Sequence, residues 1–467
     1  NGYTGELIAR EAVRRGLVPV IAGRSVDAIG RLSTELGCEA RVASLDDPAA
    51  LGRALAGIDV VLHCAGPFSV TAAPMMRACF AAGAHYLDVT GEIDVFESAK
   101  ALDADARKAG VTLCPGVGFD VVATDCVAAA LAEALPDATC LALGFDSRSG
   151  VSGGTMRSTI EGLPRGGRIR SSGALVTVEH AFRVRDIDFG DGVKQATTIP
   201  WGDVSTAHHT TGIPNIEVFV PLPENKVAAL RRLKYISPLL RFGPVQSFLK
   251  SRAAARAPGP DREARERLPT WVWGEVQAPS GELVTARVKV ANLYDFTVYA
   301  ALGVLERLLA GPRVTGYRTP SQIVGWRFIE TLPGSGRLAI TRGRAWEPRK
   351  PWARAGRSRR RVISCHPPGW PTGTPSRCFP ACPSGGRVSS DVVANSSAPP
   401  GHCCSTAAMA CGCSRTQRHS RTSAARLRSA SPCCCTAGKA APSRSTSCRS
   451  GRCCSTTAST SCASTCA

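Results

Sequence analysis

Long apolar runs, a secretion signal and C-x-x-C spacing are all missing from this 467-residue sequence. No uninterrupted apolar run reaches the length of about 18 residues that a membrane-spanning helix requires, and no signal peptide is seen. Neither a transmembrane span nor secretion is expected, and the chain is read as cytoplasmic. A targeting segment upstream of Asn1 lies outside that reading. No C-x-x-C spacing occurs, which argues against a zinc module, and no metal site is expected. Acidic residues are nearly absent from the last quarter. From Pro351 onward fifteen Arg and one Lys face a single acid, Asp391, so +15 of the net charge of +20 sits there. The first 350 residues carry 41 basic against 36 acidic side chains, a near balance that does not mark nucleic acid as a specific partner. Fifteen of the 21 cysteines also lie beyond position 360. The other six (Cys38, Cys64, Cys79, Cys114, Cys126 and Cys140) stand singly in apolar segments, as reduced, buried thiols of a cytosolic protein do.

What is present is organised around residues 1–25, NGYTGELIAREAVRRGLVPVIAGRS. Gly2 and Gly5 stand at G-x-x-G spacing and open into a helix with Leu7, Ile8, Ala12 and Val13 on one side, and Gly16 is placed to end it. VPVIA then reads as a short buried parallel strand. Glycines let a backbone approach a pyrophosphate, and a helix N-terminus offers N–H groups and a positive dipole end to hold it. An NAD site usually has Asp or Glu about twenty residues after the glycines, to bond the ribose 2′-hydroxyl. Here Arg24 and Ser25 stand there, a cation and a hydroxyl suited to a 2′-phosphate, so NADP(H) is the expected cofactor. The strand before the turn and the first glycine of the fingerprint are absent. That strand would lie at the centre of the sheet, between VPVIA and VVLHC, and without it poor folding is expected.

Residues 1–135 repeat one pattern, an apolar run followed by a helix ending at glycine. Helices are expected over about Val26–Leu36, from Asp47-Pro48 to Gly57, over Thr71–Ala82 and over Val95–Ala109. Strands are expected near Glu39–Ala43 and in VVLHC, AHYLDV and VTLCP. Such alternation predicts an α/β Rossmann-type domain with a parallel sheet. Ligands of such sheets bind beyond the strand C-termini, which singles out Gly23–Ser25, Asp46, Cys64–Phe68, Asp88–Glu92 and Pro115–Asp120. Asp88, Glu92 and Asp120 are carboxylates worth notice there, with helix capping as their plainer role. His63 reads as a packed strand residue, and the Cys64 side chain as a core thiol.

Residues 136–337 change character. LALGFD, ALVTV, FRVRDIDF, IEVFVPL, TWVWGEVQ and LVTARVKVAN read as strands of an antiparallel or mixed sheet, giving a second, α+β domain for substrate binding or dimerisation. Gly153–Ser158 opens a helix that could hold an anion. IPWGDVSTAHHTTGIPN reads as a loop facing the cofactor cleft. Lys226–Arg252 is basic with Leu, Ile and Phe interspersed, which leaves peripheral contact with a membrane or an acyl carrier open, beside the plainer reading of a surface helix packed on its own domain. LYDFTVYAALGVLERLL reads as a final amphipathic helix.

Taken together, NGYTGELIA, VIAGRS, CAGPF, HYLDVTGE, PGVGFD, GGTMRS, PWGDVSTAHHTTGIPNIEVFV and GYRTPS resemble bacterial saccharopine dehydrogenase-like oxidoreductases, including the trans-acting enoyl reductase branch. The resemblance runs from Asn1 to about Gly336. It implies an NADP-binding Rossmann domain, a second domain whose sheet forms a dimer or covers substrate, and hydride transfer to a small or acyl-carrier-bound substrate, in a homodimer. Carried onto this chain, the cofactor positions are Gly2, Tyr3, Thr4, Gly5, Arg24, Ser25, Asp46, Ala65, Gly66 and Pro67. Hydride transfer needs one proton donor near the acceptor, and Tyr86, Asp120 and His208 are the candidates. Residues 338–467 fall outside the resemblance. Rich in Arg, Ser, Cys, Pro, Thr and Ala without periodicity, they read as a disordered tail, of the composition a GC-rich coding region yields out of frame. Two other functions stand beside the oxidoreductase: a non-catalytic NADP(H) sensor or scaffold, and a nucleic-acid binder driven by the basic tail.

Overall fold

The computed structural model describes residues 2–149, 153–255, 260–311 and 314–344. All belong to the first of two units into which the chain divides, Asn1–His366, and the tail expected from 338 lies outside the described residues from 345 onward. Strands and helices alternate as the glycine-punctuated pattern predicts. α1 (Tyr3–Arg14) leads to β1 (Ile21–Gly23), α2 (Val26–Leu36), β2 (Ala40–Val42), α3 (Pro48–Ala54), β3 (Val60–His63) and α4 (Phe68–Ala82). β4 (His85–Asp88), α5 (Ile93–Ala101), α6 (Asp103–Lys108), β5 (Thr112–Cys114) and α7 (Phe119–Ala134) follow. Local chemistry sets the limits. Ser25 and Asp47 accept the Ala28 and Ala50 N–H groups and so cap α2 and α3, while Gly37 and Gly83 close α2 and α4 at φ 66° and 70°. The single helix expected over Val95–Ala109 is two, because Leu102 (φ −89°, ψ 9°) leaves helical geometry.

The second part contains β6 (Cys140–Ser147), α8 (Gly153–Gly162), β7 (Gly167–Ser171), β8 (Ala174–Val178), β9 (Val184–Asp188), β10 (Val193–Ile199), α9 (Asp203–Thr211) and β11 (Asn215–Pro221). Helices α10 (Glu224–Leu240), α11 (Gly243–Ala255) and α12 (Arg262–Arg267) precede the long hairpin of β12 (Thr270–Gln277) and β13 (Glu282–Val290). α13 (Leu293–Ala310), β14 (Gly316–Tyr317), α14 (Pro320–Val324), α15 (Phe328–Thr331) and β15 (Ala339–Arg344) complete it. The nine strands from β6 to β13 and β15 form one mixed sheet, in the order β15-β13-β12-β6-β11-β10-β9 with β7 and β8 branching from β11. β6 and β11 are parallel and the other pairs antiparallel. β7, β10 and β15 were not expected. β15 pairs with β13 from Glu282↔Arg344 to Arg287↔Ala339 and so carries ordered sheet past residue 337. IPWGDVSTAHHTTGIPN is not the expected loop: its centre is α9, closed by Gly212 in the left-handed region.

The chain then returns to the first domain. β14 adds to β5 and completes a parallel sheet in the order β14-β5-β4-β3, and α13 packs Val298, Ala301, Leu302 and Val304 against Ile8, Ala12, Leu87 and Cys114. The chain therefore passes between the two sheets three times, out after α7, back in α13 and β14 and out again to β15, because the apolar face of α13 covers a sheet face that the first 135 residues leave bare. β1 and β2 form a separate parallel pair. Among the described residues no ladder joins β1 to β3.

Candidate functional site

The C-terminal ends of β1, β3 and β4 and the start of α1 open on one cleft of about 1770 Å3, roofed by α8 and by residues 198–201 of the second sheet. Gly2, Tyr3, Thr4, Gly5, Arg24, Asp46, Ala65, Gly66 and Pro67 all line it. Ser25 does not, because its hydroxyl caps α2. α1 has no side-chain cap at its N-terminus, so its first N–H groups face the cleft without a competing oxygen. Close backbone approach explains Gly5: a Cβ there would stand 3.3 Å from Cβ of Cys64, at the edge of contact. Arg24 is exposed at the end of β1 with no ion pair among the described residues. Tyr3 turns toward the second domain. Its hydroxyl donates to the Pro260 carbonyl (2.6 Å) and accepts from Arg265 (3.0 Å), and its ring stands edge-on to Tyr294.

The turns beyond β3, β4 and β5 are tied together by carboxylates. Asp88, fully buried, accepts the N–H groups of Thr90 (3.0 Å) and Gly116 (2.8 Å) and the Tyr86 hydroxyl (2.6 Å). Burial pushes its carboxyl up to about 6, against the pull of those donors. Glu92 accepts the N–H groups of Phe68 (3.2 Å) and Ser69 (2.8 Å) at the start of α4, and the Ser158 hydroxyl (2.9 Å) of α8. Ser69 in turn donates to Glu161, also on α8 (2.7 Å). The nucleotide-domain turn and the roof helix are thus latched by two carboxylates, and the Gly153–Ser158 segment supplies one partner.

Asp120 is the candidate donor that reaches the cleft. Its carboxyl oxygens have no hydrogen-bond partner among the described residues, and its carboxyl lies against Gly91, where an added Cβ would come within 3.2 Å of Oδ2. Enclosure without a compensating donor pushes it up to about 7. The Trp201 indole donates to the Asp120 carbonyl (2.8 Å) and fixes this start of α7 against the roof. Tyr86 and His208 do not line the cleft. Tyr86 points into the sheet core toward Asp88, and His208 Nδ1 pairs with the Ile213 carbonyl at 2.9 Å, closing α9. His63 lines the cleft edge, packed on Phe68, and burial pushes its imidazole down to about 4, so it is neutral near pH 7. Cys64 is half-buried on the cleft wall and not in the core; its Sγ contacts the Leu62 carbonyl, and burial pushes its thiol up to about 12. Trp201 and Glu161 were not singled out from the sequence, although Trp201 lies within the PWGD segment expected to face the cleft and Glu161 just past GGTMRS.

A parallel sheet with an uncapped helix start, a cation at the end of β1 and a roofed cleft defines the class: a Rossmann-type domain joined to a second, mixed-sheet domain. Comparison with known proteins makes this specific. Residues 1–114 match the family described as the saccharopine dehydrogenase NADP binding domain, and the resemblance seen in the sequence is to that family. A Mycobacterium tuberculosis protein provisionally named a trans-acting enoyl reductase is 31% identical over 179 residues, covering 35% of this chain and 42% of that protein. The human saccharopine dehydrogenase-like oxidoreductase is 27% identical over 147 residues, covering 27% and 34%. The chain thus aligns with less than half the length of these relatives. Saccharopine dehydrogenase (L-Glu forming) of Saccharomyces cerevisiae superposes with a TM-score of 0.48 at 10% identity, over 72% of this chain and 98% of that one.

Proposed function

We propose that this protein is an NADP(H)-dependent oxidoreductase that reduces a small or acyl-carrier-bound acceptor. The observation that carries the reading is that Arg24 and Asp120 line one cleft, a cation suited to a dinucleotide's 2′-phosphate and a carboxyl suited to protonating an acceptor. The bound cofactor would supply the hydride. Arg24 would hold the 2′-phosphate, the start of α1 the pyrophosphate, and the small Ala65-Gly66-Pro67 turn would let the nicotinamide ribose lie against backbone. Asp120, half protonated near pH 7, would deliver the proton that completes reduction of a C=C or C=N bond. α8 and Trp201, latched over the turns, would exclude water from that transfer. A fluorescence titration tests the cofactor assignment: NADPH is expected to bind at least about tenfold more tightly than NADH. Equal affinity would remove the role given to Arg24, and binding without turnover of any enoyl or imine acceptor would favour a sensor or scaffold.

A further inference from the structure

The pair of helices after β11 turns an unusual face to solvent. Tyr235, Leu239, Phe242 and Phe248 are 75%, 57%, 59% and 61% exposed, within fourteen residues, and they include every exposed aromatic ring among the described residues. Tyr235 and Leu239 are one turn apart on α10, and Phe242 follows in the turn to α11. On α11, Pro244, Ser247, Phe248, Ser251 and Arg252 are all exposed at the spacing of one helical face. The opposite side of the pair is anchored. Val227 and Leu240 are buried, the Gln246 amide donates to the Ile160 and Leu240 carbonyls (3.1 and 2.8 Å), and Lys250 pairs with Glu161 at 2.7 Å. The outward side chains therefore belong to a held element, and large apolar side chains left exposed so close together on such an element mark a contact site.

Charge selects the partner. Residues 224–255 contain seven Lys or Arg and one acid, Glu224, and the exposed cations include Lys226, Arg232, Arg241 and Arg252. Aromatic and leucine side chains with arginines around them are the composition of a helix that lies in a membrane interface, the rings among acyl chains and the guanidinium groups at anionic headgroups. No helix among the described residues is long and apolar enough to cross a membrane. We propose that the α10–α11 pair docks on the surface of an anionic lipid bilayer. The inner side of α10 contributes Leu230 to the cleft wall, beside Leu222, so the docked pair would also border the cleft. The surface stands on its own observations and does not depend on the oxidoreductase reading.

Co-sedimentation of the full chain with lipid vesicles tests it, comparing phosphatidylcholine alone with phosphatidylcholine containing phosphatidylglycerol. The basic residues beyond 351 also attract anionic vesicles, so the deciding comparison is between the parent chain and the double variant Phe242→Ser, Phe248→Ser. Both positions are exposed and neither lines the cleft, so the melting curve and the NADPH titration are expected to be unchanged. The parent is expected to partition onto anionic vesicles at least about tenfold more strongly than the double variant, and more strongly than onto neutral ones. Equal partition of parent and variant overturns the proposal. So does capture of an acidic acyl-carrier protein through the same two rings while vesicles stay unbound, which would make the patch a protein-docking site.

Discussion

The two parallel sheets of the nucleotide domain arise from the same kind of sequence and end in different surroundings. β4 and β5 are buried at every residue, whereas Ala22 of β1 and both end residues of β2 are exposed. Cover makes the difference. β3 to β5 have α4 to α6 among their neighbours, and α13 arrives from later in the chain to pack against them. β1 and β2 have each other and the short core of Ala9, Ile29 and Leu32. The chemistry divides along the same line. At the buried end Asp88 and Asp120 sit where ionisation is penalised, and at the open end Arg24 and Asp46 are exposed to solvent.

Breaking that contrast has graded consequences. Leu87→Ala in β4 should cost about 3 kcal/mol, read as a lower urea midpoint with unchanged slope, because the site cannot collapse under α13. Val42→Ala in β2 should stay within about 0.5 kcal/mol, and similar losses at both positions would erase the distinction. Asp120→Asn should lower kcat by about a hundredfold while leaving the NADPH titration unchanged; a variant of full activity would move the proton donor elsewhere. Arg24→Ala should weaken NADPH binding about tenfold and leave NADH binding as it was. An equal loss for both cofactors would mean that Arg24 does not meet the 2′-phosphate.

The smallest effect expected is on pH dependence. An unfolded aspartate ionises near about pH 4, whereas folded Asp120 and Asp88 hold their protons to about 7 and about 6. Between those values the folded state binds more protons, so their contribution to stability is complete below about pH 4 and is lost as pH rises through 7. His63, held near 4, works oppositely: its contribution is complete above about 6.5 and is lost as pH falls through 4. Comparing Asp120→Asn with the parent isolates one limb. The variant should lose less stability between pH 5 and pH 8, and parallel curves would show that the Asp120 carboxyl is not perturbed by folding.

Much of the fold was legible because its signals are local. Ser25, Asp47, Gly37 and Gly83 limit helices through contacts within one turn of chain, and six of the later strands announced themselves by apolar runs. α9 was misread as a loop because Asp203, Ser205, Thr206 and the two histidines look polar. In the structure Asp203 to Ala207 are buried against α7, with Thr124 donating to Asp203 at 2.6 Å. β7 and β10 were missed since their arginine, lysine and threonine side chains interrupt the apolar pattern, although pairing to β11 holds them. The cleft residues split the same way. Gly2, Gly5, Arg24 and the Ala65–Pro67 turn follow from position along a strand-turn-helix unit. Tyr86, Asp120 and His208 could not be ranked from spacing, because which side chain reaches a cleft depends on the direction of its strand or helix and on what covers it.

The sequence by itself determined the alternation of strand and helix, the cation at the end of β1, and the uneven placing of charge and cysteine, all of which rest on neighbours a few residues apart. Only the tertiary structure decided that α13 and β14 return to complete the first domain, that Asp120 and not Tyr86 or His208 faces the cleft, and that the rings of Tyr235, Phe242 and Phe248 point to solvent. Those outcomes depend on burial, and burial is set by segments a hundred or more residues away, whose arrival no local pattern records.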